Sequence, residues 1–446
     1  MDKKIMITTQ SDKLLHKNEQ WIPGGVVSLN RKCEPNICFD TGRGSRVHDI
    51  DGNEYIDYQG GFAAVFLGHN DPDVNAAVVK SVEANEILMS AGPTATEGIL
   101  AELFCRCVPA ADSMQITTTG SEATYHAIRI ARAVTKKDHI IIMQGGYNGW
   151  HNDVAGNVIS SLGNIGPRTA NGEYPFDPIS AGIPLAHQSL VHVVNFNDLA
   201  SVEAMVKKYP VACIILEPIL QNIGIVKPRE GYLEGLRRLA DVNGFLLIFD
   251  EVKTGFRHAL GGYQSICNIS PDLSTFGKAL ANGYPMGVIA GKKEYMNYFN
   301  HPDKASRVLI AGTFNAHPLT TAAAIATLQK LSAPEYHVYE HVYGLGEMME
   351  AGLHEILNRF DRSFHIARQG SAFCLYFMDH APVDFHDIME HHDFDLDKQY
   401  RHKLIEKGIF NFPLPIKQAS ISYAHSAADI QETLEKTEDV LNDLLK

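Results

Sequence analysis

No apolar run in this chain approaches the length needed to span a bilayer. The first residues, MDKKIMITTQSDKLLHKNEQ, are polar and lack the apolar centre of a secretory signal, so nothing directs export and a cytoplasmic protein is expected. Positive charge is in deficit. The 39 Lys and Arg against 52 Asp and Glu leave a net charge of −13, which excludes nucleic acid and anionic membrane surfaces as the expected main partners. Cysteine is sparse and scattered, at positions 33, 38, 105, 107, 213, 267 and 374. Cys105 and Cys107 sit two apart, but no second pair follows at zinc spacing, so free thiols in a reducing compartment are expected. Low-complexity linkers, internal repeats and long charge blocks are also lacking.

What is present fits a soluble globular enzyme. Hydrophobic residues make up 45% and charged residues 20%, both ordinary. At 446 residues the chain exceeds one simple core, so two packed domains are expected. Apolar runs alternate with amphipathic stretches, the pattern of an α/β protein with a mostly parallel sheet. Near the start, RVHDI and EYIDY flank Asp51-Gly52-Asn53, a hairpin signal. DVNAAVVKSVEANEIL and GILAELFCRCV read as helices. From Met114 the rhythm is strand, loop, helix, through MQIT, HIIIM, VACIIL, YLEGLRRLADV and FLLIF. SRVLIAGTFNAHP reads as a strand leading into the helix LTTAAAIATLQKL, and the tail as two helices with short strands, AFCLYF and ASISYA. These elements imply a large domain over 66–330 and a smaller α+β domain built from 1–65 and 331–446. Histidine is plentiful at 21, and His386, His391 and His392 cluster in DFHDIMEHHDFDLDKQY. A solvated helix face is the expected reading there, with a metal site as the alternative.

Two residues carry the most chemistry. FLLIFDEV drives Asp250 and Glu251 out of a fully apolar strand, at the carboxyl edge where open parallel sheets hold their ligands. Lys278 follows in STFGKALANGYPMG, among small apolar residues and glycines. Most lysines are solvated, but burial lowers the amine's pKa and favours attack on a carbonyl. An aspartate at the end of a buried strand can keep a pyridine nitrogen protonated. Together the pair suggests a pyridoxal 5′-phosphate (PLP) enzyme. Glu251 is read as supporting the site from outside it.

The remaining candidates are weaker alone. In TTTGSEATYHAIRIARAV a strand ends at Thr117 and Gly120-Ser121 opens a helix, so its free N–H groups suit a phosphate. An ordinary N-cap with Ser at the cap explains those residues equally well. Tyr147, behind two glycines in HIIIMQGGYNGWHN, is either a core tyrosine or a ring lying flat on a planar ligand. Val252, two residues beyond Asp250, reads as pointing the same way and pressing on the opposite ring face. Thr313 is either a strand-end threonine or a phosphate donor.

The order GSEA, Tyr-x-Gly, EP, FDEV-x-TGFR, GK and GTF resembles the class III aminotransferases, of fold type I among PLP enzymes. Within them it is most similar to the glutamate-1-semialdehyde 2,1-aminomutase-like group, and the likeness runs from IPGGVVSLNR to YAHSAADI. The resemblance implies a Lys278 Schiff base with the cofactor and Asp250 on the pyridinium nitrogen. It implies Tyr147 and Val252 about the ring, Asn222 near the phenolic oxygen with Glu217 a weaker candidate there, and Gly120 and Ser121 on the phosphate. Thr313 would reach the phosphate from the other subunit of a homodimer. Arg31, beyond the Pro-Gly-Gly turn, would bind the substrate carboxylate, with Ser28 between them. Phe62 stands where the group has a tryptophan, Asn148 where it has a histidine, and Ile416-Lys417-Gln418 where the aminomutase has an acidic residue. The implied activity is ping-pong transfer between small amino and keto or aldehyde compounds, with an aminomutase as the alternative. A scaffold kept only for binding is opposed by the intact Lys278 and Asp250.

Overall fold

The computed structural model describes residues 6–32, 34–89, 91–170 and 172–445, so Cys33 lies outside the described residues. The chain forms two compact units. The larger contains Pro72–Tyr339 and Pro382–His391, and the smaller Met1–Asp71, Glu340–Ala381 and His392–Lys446. Residues 382–391 thus belong to the larger unit, although the sequence places all of 331–446 in the smaller domain. Side chains explain why. Asp384 takes both guanidinium nitrogens of Arg168 at 2.7 Å, and the buried His386 pairs with Asn195 Oδ1 at 2.9 Å and the Gly166 carbonyl at 3.2 Å.

The larger unit is built on a seven-stranded sheet. From one edge the strands are Ser113–Thr117, Gly287–Gly291, Leu273–Phe276, Leu246–Asp250, Val211–Leu216, His139–Met143 and Val191–Val194. Gly287–Gly291 runs antiparallel to both its neighbours, and every other pairing is parallel. All residues of Val211–Leu216 and Leu246–Asp250 are buried, because helices cover both faces of such a sheet. The helix Gly120–Thr135 puts Ala123, Ala127, Ile130 and Ala131 into one core with Ile140, Ile142, Cys213, Ile215 and Ile248. Alanine at every fourth position lets the helix lie close on the sheet.

Three local expectations fail. The helix Pro72–Glu83 stops short of Leu88, because Asn85 adopts the left-handed region at φ 55°. No strand forms over 307–312, which is irregular chain with Val308 buried in the core and Leu309 69% exposed. Among the described residues the tail holds four α-helices from Val338 on, not two: Val338–Leu357, Phe385–His391, Phe394–Glu406 and Ala427–Leu445.

In the smaller unit, Arg46–Asp49 and Glu54–Asp57 form the expected hairpin. Gly52 takes φ 84° at its tip, and Asp49 Oδ1 accepts from Asp51 N at 3.0 Å and Asn53 N at 2.8 Å. Phe39–Arg43 and Ile409–Phe410 complete that sheet; His365–Gln369, Ala372–Tyr376 and Ala419–Ser420 form another. Ile56, Tyr58, Leu353, Phe373, Leu404 and Leu434 share the core. The three histidines do not form the expected solvated face: His386 and His392 are buried, His392 Nε2 meeting Asp397 at 3.1 Å. The exposed His391 bonds the Asp387 carbonyl at 2.9 Å and stands with His380 and Asp387.

Candidate active site

Asp250 ends its strand between two parallel neighbours and is buried. Three donors fix its carboxylate. Asn148 Nδ2 donates to Oδ2 at 2.8 Å, while Thr275 Oγ1 and Val252 N donate to Oδ1 at 2.9 and 3.1 Å. Burial pushes the acid's pKa up, and the hydrogen bonds together with the positive charge of Lys278 pull it back. Sequence reasoning missed Thr275, although it is the register partner of Asp250 on the adjacent strand. It noted Asn148 only as a departure from the family pattern. Glu251 is fully occupied elsewhere, accepting from Thr254 Oγ1 and from the backbone N–H groups of Tyr263 and Gln264.

Lys278 follows Leu273–Phe276 across Gly277 and opens the short turn Lys278–Ala281. Its φ of 45° lies in the left-handed region, which residues with a side chain rarely adopt. The side chain is half-buried. Burial lowers the amine's pKa, the charges of Asp250 and Glu217 raise it, and Arg257 lowers it. The buried Arg257, in the TGFR run, is itself pushed down to about 10 by burial.

Val252 is held differently from expectation. The strand ends at Asp250, so alternation does not aim Val252; the Asp250 carboxylate closes a turn on its N–H instead. Both Val252 methyls lie where a side chain at Gly120 would come within 2.8 Å, so only glycine allows this approach. The N-cap of Gly120–Thr135 is Thr119, not Ser121. Thr119 Oγ1 accepts from Glu122 N at 3.3 Å, and Glu122 Oε2 takes the N–H groups of Thr118 and Thr119 at 2.8 and 3.0 Å. The N–H groups of Gly120 and Ser121 are thereby left without a hydrogen bond among the described residues.

The half-buried Tyr147 lies beside Ser121, and its phenol is pushed up by burial and by the charge of Asp250. Gly149, at φ 127°, lets the same loop pass within 2.9 Å of Ser121 Oγ, measured from where a Cβ would stand. Asn222 Nδ2 donates to the Gly145 carbonyl at 3.3 Å. Glu217, buried just past Val211–Leu216, accepts from Tyr147 N and Gln221 N, each at 3.0 Å. The structure therefore gathers Asp250, Lys278, Val252, Gly120, Ser121, Tyr147 and Asn222 at one end of one sheet. Thr313 is exposed in the turn at 313–316, whose Asn315 Oδ1 accepts from Thr118 Oγ1 at 3.4 Å.

Three candidates lie in the smaller unit. Arg31 closes the turn Leu29–Arg31, its N–H bonded to the Ser28 carbonyl at 2.9 Å, with an exposed side chain. Phe62 has φ 59° and packs on Phe412 with ring centroids 5.3 Å apart. Near Lys417, Ile416 N donates to Asp397 at 2.7 Å and Gln418 Nε2 to Ser420 Oγ at 2.6 Å.

Comparison with known proteins was informative. Residues 28–441 match the family described as aminotransferase class-III. A glutamate-1-semialdehyde 2,1-aminomutase of Methanosphaera stadtmanae is 36% identical over 441 residues, 98% of this chain and 99% of that protein. An omega-transaminase of Sphaerobacter thermophilus superposes with a TM-score of 0.90 at 27% identity, covering 97% of each chain. A transaminase solved with PLP bound gives 0.86 at 26% identity, covering 99% of each.

Proposed function

We propose, because the chain belongs to the class III aminotransferases, that it moves an amino group from a carboxylate-bearing amino compound to a keto or aldehyde acceptor, with PLP as cofactor. The observation that carries this reading is Asp250. Burial raises its pKa unless a cation partners it, and three fixed donors already hold its oxygens in one orientation. A protonated ring nitrogen meets that need. The open N–H groups of Gly120 and Ser121 suit a phosphate, and Tyr147 and Val252 supply two flat contacts for a ring.

When bound, PLP supplies the electron sink that stabilises negative charge developing on the substrate carbon. Lys278 Nζ takes the proton from the amino-bearing carbon and returns it, a task suited to an amine whose pKa burial has brought down. Asp250 keeps a proton on the ring nitrogen through a carboxylate that cannot swing away. Asn222 serves the polar edge of the ring. Arg31 binds the substrate carboxylate through a two-pronged guanidinium contact, with Ser28 and Phe62 beside it. Arg31→Ala then raises KM for carboxylate substrates about 10- to 100-fold, the factor implied by losing a charged hydrogen bond of about 1.5–3 kcal/mol. Cofactor affinity stays unchanged in that variant, and an unmoved KM removes Arg31 from the substrate site.

A cytoplasmic homodimer is part of the proposal. Ile87, Leu309 and Phe314 are 60%, 69% and 61% exposed, apolar side chains that a second copy would cover. Thr313, next to Phe314, would then serve the partner subunit's phosphate. The six described cysteines are free, which fits a reducing compartment.

The second reading, an aminomutase that shifts the amino group within one molecule, is favoured by the name of the 36%-identical relative. Incubation of the PLP-loaded enzyme with amino substrate and no acceptor separates the two. A transaminase stops after one stoichiometric conversion per site. Continued turnover without acceptor identifies the mutase instead.

A further inference from the structure

Glu217 has no role in the chemistry above, yet few carboxylates in the chain are placed as it is. It is 3% exposed, directly after Val211–Leu216, the strand beside the one that ends at Asp250. Its two oxygens are used separately. Oε1 accepts from the backbone N–H of Tyr147 and Oε2 from that of Gln221, each at 3.0 Å. The first bond reaches the loop that carries Tyr147 and Asn148, and through Asn148 that loop holds Asp250. The second closes the turn that carries Asn222, whose amide returns to the Gly145 carbonyl of the first loop. One side chain therefore ties together both loops that border the site.

We infer that Glu217 is a positioning residue that pins the Tyr147 and Asn222 loops to each other and keeps a fixed negative charge within reach of the Lys278 amine; this rests on the PLP reading above. Both oxygens accept from backbone donors, which fixes the carboxylate between the two loops. Burial pushes its pKa up, against the pull of its neighbours. Lys253 and the two N–H donors favour ionisation, and Asp250 opposes it. Lys253 is held there by donating to the Gln221 carbonyl at 2.7 Å. Around Lys278 the charges are Asp250 and Glu217 against Arg257. Removing one of the two carboxylates makes the protonated form of the lysine nitrogen harder to keep. A glutamine at 217 has nearly the same shape, but it turns an NH₂ toward one of the two backbone N–H groups and carries no charge.

The test is a pH titration of the absorbance of the PLP-loaded protein, for wild type, Glu217→Gln and Glu217→Asp, with PLP affinity measured in parallel. Glu217→Gln is expected to move the titration midpoint down by about one pH unit and to weaken PLP binding about tenfold. Glu217→Asp keeps the charge but shortens the reach, so its midpoint stays near that of wild type while its PLP affinity falls. Should Glu217→Gln not fold, the aspartate variant decides, and full PLP affinity there refutes the clamp. A wild-type titration matched by Glu217→Gln, at equal affinity, overturns this inference and leaves the cofactor assignment intact. A wild-type protein with no PLP absorbance overturns both.

Discussion

Replacing Lys278 with alanine is expected to lower kcat by at least about 10⁴-fold while the fold survives. The factor follows from proton transfer, which alone contributes about 10²–10⁴-fold, compounded by loss of the amine assigned to the cofactor. The position tolerates the change structurally. Lys278 occupies an unfavourable backbone conformation at φ 45° and its amine is partly buried, so the native residue costs stability where it stands. Thermal unfolding of Lys278→Ala without cofactor should therefore fall no lower than that of wild type. Turnover measured with any accepted amino substrate checks the first half and calorimetry the second. Residual turnover within tenfold of wild type would mean that another group moves the proton.

Asp250→Asn is the second large effect, expected to cost about 10²–10³-fold in kcat, the usual consequence of removing one fixed electrostatic partner. The substitution keeps the shape and removes the charge. It also turns an NH₂ toward a donor, Asn148 Nδ2 or Thr275 Oγ1, each now within 2.9 Å of a carboxylate oxygen. Because burial already drives the acid toward its neutral form, the loss of charge itself does not unfold the chain. The loss should appear in kcat and not in KM for the amino substrate, because the substrate carboxylate is assigned to Arg31 and not to Asp250. Steady-state kinetics at saturating PLP separate the two parameters. A variant whose kcat stays within threefold of wild type would show that the ring nitrogen's charge is supplied elsewhere.

Much of this site could be read in the chain because it is written as short local signals. FLLIF followed by Asp250 gave both a buried strand and the acid at its end. GSEA marked a helix start, although not the approach of the Val252 methyls to Gly120. What escaped depends on pairing across the sheet or between loops. Thr275 reaches Asp250 only because two strands lie in register. Glu217 binds an N–H seventy residues earlier in the chain, and nothing within the EP dipeptide announces that bond. The strands Val191–Val194 and Gly287–Gly291 were missed because VHVV and GVIAG are too short for periodicity to separate strand from loop. The opposite error arose at 307–312, where apolar residues read as a strand form irregular chain, with Val308 buried and Leu309 exposed. Residues 382–391 join the larger unit through Asp384 and His386, polar contacts that a hydrophobic pattern does not encode.

The central claim is that the Lys278 nitrogen and PLP become covalently joined. Borohydride reduction of the PLP-loaded protein, followed by digestion and peptide mass spectrometry, tests it directly. The account predicts a single pyridoxyl-phosphate adduct per chain, on the peptide containing Lys278, and none in Lys278→Ala. An adduct on a different lysine, or a protein that binds PLP and yields no adduct after reduction, contradicts it.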